Sequence, residues 1–148
     1  MKNIIFLCFF TLFVSACDSP MNNRVSDNGD ASGLVLEKKS FGISEYKVEV
    51  KWLDGPYGRV TQDNYLLVFL YKVDRLVSLP ETETLQFYAT MPSMGHTLED
   101  AGFFEEIETG IYLNKAIRFN MPGDWKNELW IMDSEFNIKD RLEWRIFF

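Results

Sequence analysis

Tyr46-Lys47-Val48-Glu49-Val50-Lys51-Trp52 alternates between large apolar and charged side chains. Successive side chains of an extended chain point to opposite faces, so this period of two puts Tyr46, Val48, Val50 and Trp52 on one face and the three charges on the other. That is the signature of a strand with one buried and one wet face. The same period recurs further along. Leu85, Phe87, Ala89 and Met91 alternate with Gln86, Tyr88 and Thr90, and Ile117, Phe119 and Met121 form a second such run. Leu142, Trp144, Ile146 and Phe148 alternate with Arg141, Glu143, Arg145 and Phe147. Tyr65 to Val73 is aromatic and β-branched with no Gly or Pro, which predicts a strand buried on both faces. Leu129 to Asp133 reads as a short apolar strand and Leu34 to Lys39 as a weak first one. Asp54-Gly55-Pro56-Tyr57-Gly58 is a turn. No segment sustains a helical period, with room only for one short helical turn within Leu98 to Glu108.

About seven short strands separated by turn signals predict an all-β, immunoglobulin-like β-sandwich, with a small barrel as the alternative. Trp52 and Trp144 fall on apolar faces and belong to the core. Trp125 follows the Pro122-Gly123-Asp124 turn and caps one end.

Ahead of this domain, Lys2 supplies a positive start, Ile4 to Val14 a short apolar run, and Val14-Ser15-Ala16-Cys17 the shape of a bacterial lipobox. The run is far shorter than the roughly 20 residues a spanning helix needs, so it reads as a signal core. The expected organisation is a lipoprotein signal peptide over 1–16, a lipidated cysteine and flexible tether over 17–33, and the β-sandwich domain over 34–148. Ordinary signal cleavage leaving a free cysteine is the competing reading. Residues 18–33 are rich in turn formers and poor in large apolar side chains, hence the tether. Acyl chains on Cys17, palmitate among them, would hold the protein on the cell membrane facing the periplasm. Asp18 resembles an inner-membrane retention signal.

Cys8 leaves with the signal, and a lipidated Cys17 leaves the fold no free thiol, disulfide or cysteine ligand. Loss of Lys2 lowers the basic count from 15 by one, against 22 acidic residues. So acidic a surface repels phosphate backbones, which argues against nucleic acid as a partner. The chain has one histidine, no Gly-x-Ser-x-Gly elbow, no phosphate-cradling glycine loop and no paired metal-binding histidines. The expectation is a protein that is not an enzyme.

One constellation could carry chemistry. Met91-Pro92-Ser93-Met94-Gly95-His96 sets two methionines beside the only histidine, and Met121-Pro122-Gly123-Asp124-Trp125 adds a third methionine. Thioethers are soft neutral ligands that select Cu(I), and imidazole also suits copper. If Met91 and Met121 end strands that run in the same direction, both reach one pole of the sandwich. Met91, Met94, His96 and Met121 then form a candidate metal site. The plain alternative is a strand exit: methionine is a flexible core filler, proline stops pairing and glycine makes the turn. Glu99, Asp100, Glu105, Glu106 and Glu108 form an acidic stretch that lacks calcium-loop spacing and reads as a solvated face.

These motifs resemble the FixH/YtkA-like group of membrane-associated β-sandwich domains. That group carries a Met-Pro-x-Met-x-His loop, a Gly-x-Tyr strand (here Gly110-Ile111-Tyr112) and a Met-x-Gly-x-Trp turn (here Met121 to Trp125). The resemblance spans roughly Leu85 to Asp133. It departs from the group's pattern at Thr97, where glycine often follows the histidine, and at the inserted acidic stretch. It implies a membrane-associated β-sandwich linked to oxidase assembly and is compatible with two readings, of which the first is an envelope lipoprotein that handles Cu(I). The second reading is a structural or interaction lipoprotein that docks an envelope protein partner and binds no metal.

Overall fold

The computed structural model describes residues 37–41 and 44–148. The expected signal peptide, Cys17 and tether lie outside the described residues. Ten strands follow in order: β1 (Glu37–Ser40), β2 (Lys47–Asp54), β3 (Asn64–Lys72), β4 (Arg75–Leu76), β5 (Glu83–Met91), β6 (His96–Thr97), β7 (Phe104–Glu108), β8 (Ile111–Ile117), β9 (Asp124–Asp133) and β10 (Ile138–Phe147). One sheet runs β1-β2-β3-β8-β7 with β4 paired to β3, and the other runs β10-β9-β5-β6. All pairings are antiparallel. Strands β2, β3, β8, β7 against β5, β9, β10 reproduce the two-sheet Greek-key order of an immunoglobulin-type sandwich. The chain is therefore an all-β sandwich, as the alternation predicts, and not a closed barrel.

The alternating faces meet between the sheets. Val48, Val50 and Trp52 of β2, Leu66, Val68 and Leu70 of β3, Leu85, Phe87, Ala89 and Met91 of β5, and Trp125, Leu129 and Ile131 of β9 are all buried. Aromatic rings link the layers: Phe87 lies 6.0 Å from both Trp52 and Trp144, and Phe119 lies 4.9 Å from Trp125 in a T-shaped contact. Such pairs add about 0.5–1.5 kcal/mol each beyond the area they bury. Trp52 and Trp144 sit in the core as expected, and Trp125, read from the sequence as an end cap, is fully buried in the same core.

Three expectations are corrected. β3 is not buried on both faces: Asn64, Leu66, Val68 and Leu70 are sealed, while Tyr65, Leu67, Phe69 and Tyr71 are only half-buried. Continuous apolar sequence cannot separate a second core from a partly exposed outer face. Leu98 to Glu108 holds no helical turn; it holds a bridge between Asp100 and Arg118 and then edge strand β7. The strand carrying Ile117 stops there and does not reach Met121. Arg118 pairs with Asp100, Phe119 dives into the core, and Asn120 turns back to donate from Nδ2 to the Thr97 carbonyl at 3.1 Å.

Candidate metal centre

β5 ends at Met91 because Pro92 cannot continue the ladder, and the chain reverses at once. The backbone amides of Met94 and Gly95 both donate to the Met91 carbonyl, at 3.1 and 2.9 Å. Gly95 adopts a φ of 67°, the left-handed region that glycine enters at little cost. The return brings His96 opposite Met91 and Thr97 opposite Thr90. Directly opposed residues of an antiparallel pair project to the same side of the sheet, with Cβ atoms about 4.5–5.5 Å apart. The Met91 and His96 side chains therefore share one side, the side that Met91 buries.

Met91 is 2% exposed. His96 is half-buried, yet its Nδ1 is sealed from solvent and has no hydrogen-bond partner among the described residues. A sealed ring nitrogen without a partner is unusual in a folded protein and calls for a ligand or a water.

The Met121 turn closes over this hairpin. The β5–β9 register continues to Thr90 opposite Lys126, so the start of β9 lies at the same pole as the end of β5. A Cβ built on Gly123 would stand 2.7 Å from the Met91 Cε, so the Met91 thiomethyl rests against the backbone of this turn. Met121 is half-buried and packs on the core, and its carbonyl accepts a hydrogen bond from Trp125 Nε1 at 3.0 Å. The 55–62 loop is pressed against the other side: a Cβ on Gly58 would lie 2.2 Å from the Pro122 nitrogen. Asn64 anchors that loop. It is fully buried, accepts from the Tyr57 amide and donates from Nδ2 to the Ile117 carbonyl at 2.9 Å.

Of the four candidate residues, the fold brings Met91, His96 and the Met121 turn to one pole. Met94 sits at the apex of the same hairpin, 57% exposed. The sandwich achieves the same-pole arrangement without a strand ending at Met121, because the turn is carried there by β9. Asn120 was not among the sequence candidates. Its Nδ2 ties the turn to β6 and its Oδ1 is sealed without a partner among the described residues. Only its place next to Met121 could have drawn attention to it.

Two soft sulfurs and an imidazole nitrogen suit a monovalent soft metal ion, and the unpartnered Nδ1 is consistent with such a ligand. Hard-ion chemistry lacks a comparable cluster: among the described residues no group of three or more His, Cys, Asp or Glu side chains is placed to hold a metal. The acidic stretch has structural duties instead. Asp100 accepts from the Gly102 amide at 2.9 Å and from Arg118, which hold its carboxyl below the usual carboxylate range. Glu106 accepts from the Ser78 hydroxyl and the Gly110 amide.

No protein-family model matches the chain, and no characterised protein matches it by sequence. Solved structures do. A copper-bound variant of FetP from uropathogenic Escherichia coli superposes with a TM-score of 0.51 at 11% identity, over 78% of this chain and 90% of that one. FetP as isolated gives 0.49 at 13% identity, over 75% and 93%. A copper-bound variant of Campylobacter jejuni P19 gives 0.48 at 10% identity, over 78% and 97%. At these identities the likeness establishes the β-sandwich fold, and it is the fold that this chain has in common with FetP.

Proposed function

We propose that this protein binds and hands on Cu(I) in the bacterial cell envelope, with Met91, His96 and Met121 as the ligands and no catalytic role. The observation that carries this reading is the His96 Nδ1, sealed and unpartnered on the same side of the sheet as the Met91 thioether. The copper held by FetP, on a sandwich of the same kind, adds support. So does the FixH/YtkA-like motif set. The lipobox ending in Cys17 supports attachment to the cell membrane by acyl chains, facing the periplasm, where oxidase assembly would be the process served.

One observation favours the second reading, an interaction lipoprotein without metal. Met91 is packed into the core like a filler side chain, with Gly123 against its methyl. A single experiment separates the two. The full chain, with Cys8 and Cys17 changed to serine so that no thiolate competes, is titrated with Cu(I) against a competing chelator under reducing conditions. Sub-micromolar binding, weakened at least about tenfold by His96→Ala, supports the copper reading. Binding no tighter than that of the His96→Ala variant leaves the interaction lipoprotein.

A further inference from the structure

The two outer faces of the sandwich differ in kind. On the four-stranded sheet each charge is answered within the face. Lys126 bridges Glu128 at 2.8 Å and Glu143 at 3.1 Å, Arg145 bridges Asp124 at 2.9 Å, and Tyr88 stacks on Trp130 at 5.0 Å. The six-stranded sheet shows an apolar centre instead. Tyr65, Leu67, Phe69 and Tyr71 of β3 are half-buried, and beside them lie Ile111 and Leu113 of β8. Leu113 is only 9% exposed yet stands outside the core cluster, because it points away from the core.

Register arranges this face in rungs. Lys51, Leu67, Leu113 and Glu105 are successive partners across β2, β3, β8 and β7. Glu49, Phe69, Ile111 and Glu108 form the next rung. The apolar centre is thus flanked by Lys47 and Lys51 on the β2 side and by Glu105 and Glu108 on the β7 side. Within one chain, Lys51 and Glu105 are three strand spacings apart, about 14 Å, too far to pair. Neither has an ion-pair partner among the described residues.

We propose that this face binds a second copy of the chain in a two-fold dimer whose axis runs along the strands. Rotation about such an axis lays β2 of one copy over β7 of the other. Lys51 then meets the second copy's Glu105, Leu67 meets the second copy's Leu113, and each contact occurs twice, as an isologous interface requires. The one like-charge facing, Glu49 with Glu108, lies at the rim beside Lys47, where water screens it. Four overlapping strands about 4.8 Å apart and about 23 Å long give a face of roughly 440 Å² in projection. With side-chain relief, that places it at the small end of specific interfaces, below the roughly 800 Å² per partner of a standard one. The Met91 pole lies at the end of the sandwich and stays open in such a dimer.

The test is sedimentation equilibrium of the full chain, purified from membranes in density-matched detergent. The expected protein mass is twice that of the chain left after signal removal, which is smaller than the 17.3 kDa of the whole sequence. Lys51→Glu weakens the dimer at least about tenfold, since it sets glutamate against glutamate twice. Glu105→Lys does the same, and the double exchange Lys51→Glu with Glu105→Lys restores the dimer. Leu67→Arg abolishes it, while an unchanged far-ultraviolet circular dichroism spectrum and a still cooperative melting transition show the variant is folded. A single-chain mass at every concentration overturns the proposal. So does a dimer indifferent to Lys51→Glu and Leu67→Arg, or a double exchange that fails to restore it. Monomers held to phosphatidylglycerol vesicles through Leu67 would also overturn it and assign the face to a lipid surface.

Discussion

Met91 and His96 are opposed residues of the β5–β6 hairpin, so a nearly sealed thioether and a sealed, unpartnered imidazole nitrogen leave the sheet on the same side. Five residues of sequence separation and one glycine turn suffice to create that pair. The second sulfur, that of Met121, comes from a separate turn, delivered by β9 and clamped between this hairpin and the 55–62 loop. The packing of three segments, and not the hairpin alone, decides whether the pole can hold a metal.

Replacing Met91 separates its sulfur from its volume. Met91→Leu conserves volume and is expected to cost under about 1.5 kcal/mol of stability. Met91→Ala leaves a cavity and is expected to cost about 2–5 kcal/mol. Both remove the thioether, so both should weaken Cu(I) binding by about tenfold or more. Denaturant midpoints and chelator competition measure the two effects. Unchanged Cu(I) affinity in Met91→Leu would remove Met91 from the ligand set.

Gly58 tests the clamp. Its added Cβ would meet backbone atoms of Met121 and Pro122, which cannot swing aside as a side chain would. Gly58→Ala is expected to destabilise by about 1–3 kcal/mol and to push the Met121 turn outward. Cu(I) affinity should fall although no ligand is altered. Gly123→Ala is a milder comparison in space, since its Cβ meets the flexible end of Met91, but its φ of 147° makes any side chain strained there.

Asn64 is the hidden support of the same pole. Its amide is fully buried and binds backbone groups of the 55–62 loop and of β8. Asn64→Ala leaves the Ile117 carbonyl and the Tyr57 amide without that partner, at a cost of about 1–3 kcal/mol for the buried Ile117 carbonyl. Hydrogen exchange should show the 55–62 amides losing protection before those of β5 or β9.

Acid should unfold the protein through a small set of carboxylates. Hydrogen bonds from the Gly102 amide and Arg118 lower the pKa of Asp100, and those from Asn137 lower that of Asp133. Burial pushes Glu128 up, but hydrogen bonds from Lys126 and Trp130 outweigh it and leave its pKa lowered. Depressed folded-state values mean that their stabilisation is fully present above the ordinary carboxylate pKa, about 4, and is lost as pH falls through the lower folded values. Urea midpoints should therefore change little between about pH 5 and 8 and drop below about pH 4. Asp100→Asn should flatten that acid limb. An equally steep limb in this variant would remove Asp100 from the set.

Much of the sandwich is legible in the chain because a strand face is a local property. Val48, Val50 and Trp52, or Phe87, Ala89 and Met91, declare their burial by alternation with polar neighbours, whatever strand they later pair with. The reading fails where the local signal is ambiguous. Leu67 and Phe69 are as apolar as Leu66 and Val68, so the half-buried outer face of β3 looks like a second core. Phe119 and Met121 continue the alternation of Ile117, although the strand has already ended. The two-residue strand β6 and the charged edge strand β7 are too short or too polar to announce themselves.

The sequence by itself determined the all-β character, the core faces and the grouping of methionines around one histidine, since each depends on residue type and spacing within a few positions. Only the tertiary structure decided that the Met91–His96 hairpin and the Met121 turn share a pole, that Met94 is exposed at the hairpin apex, and that Gly58 and Asn64 hold the arrangement. The reason is physical: register between strands far apart in the chain follows from simultaneous packing of both sheets. No local pattern carries that information.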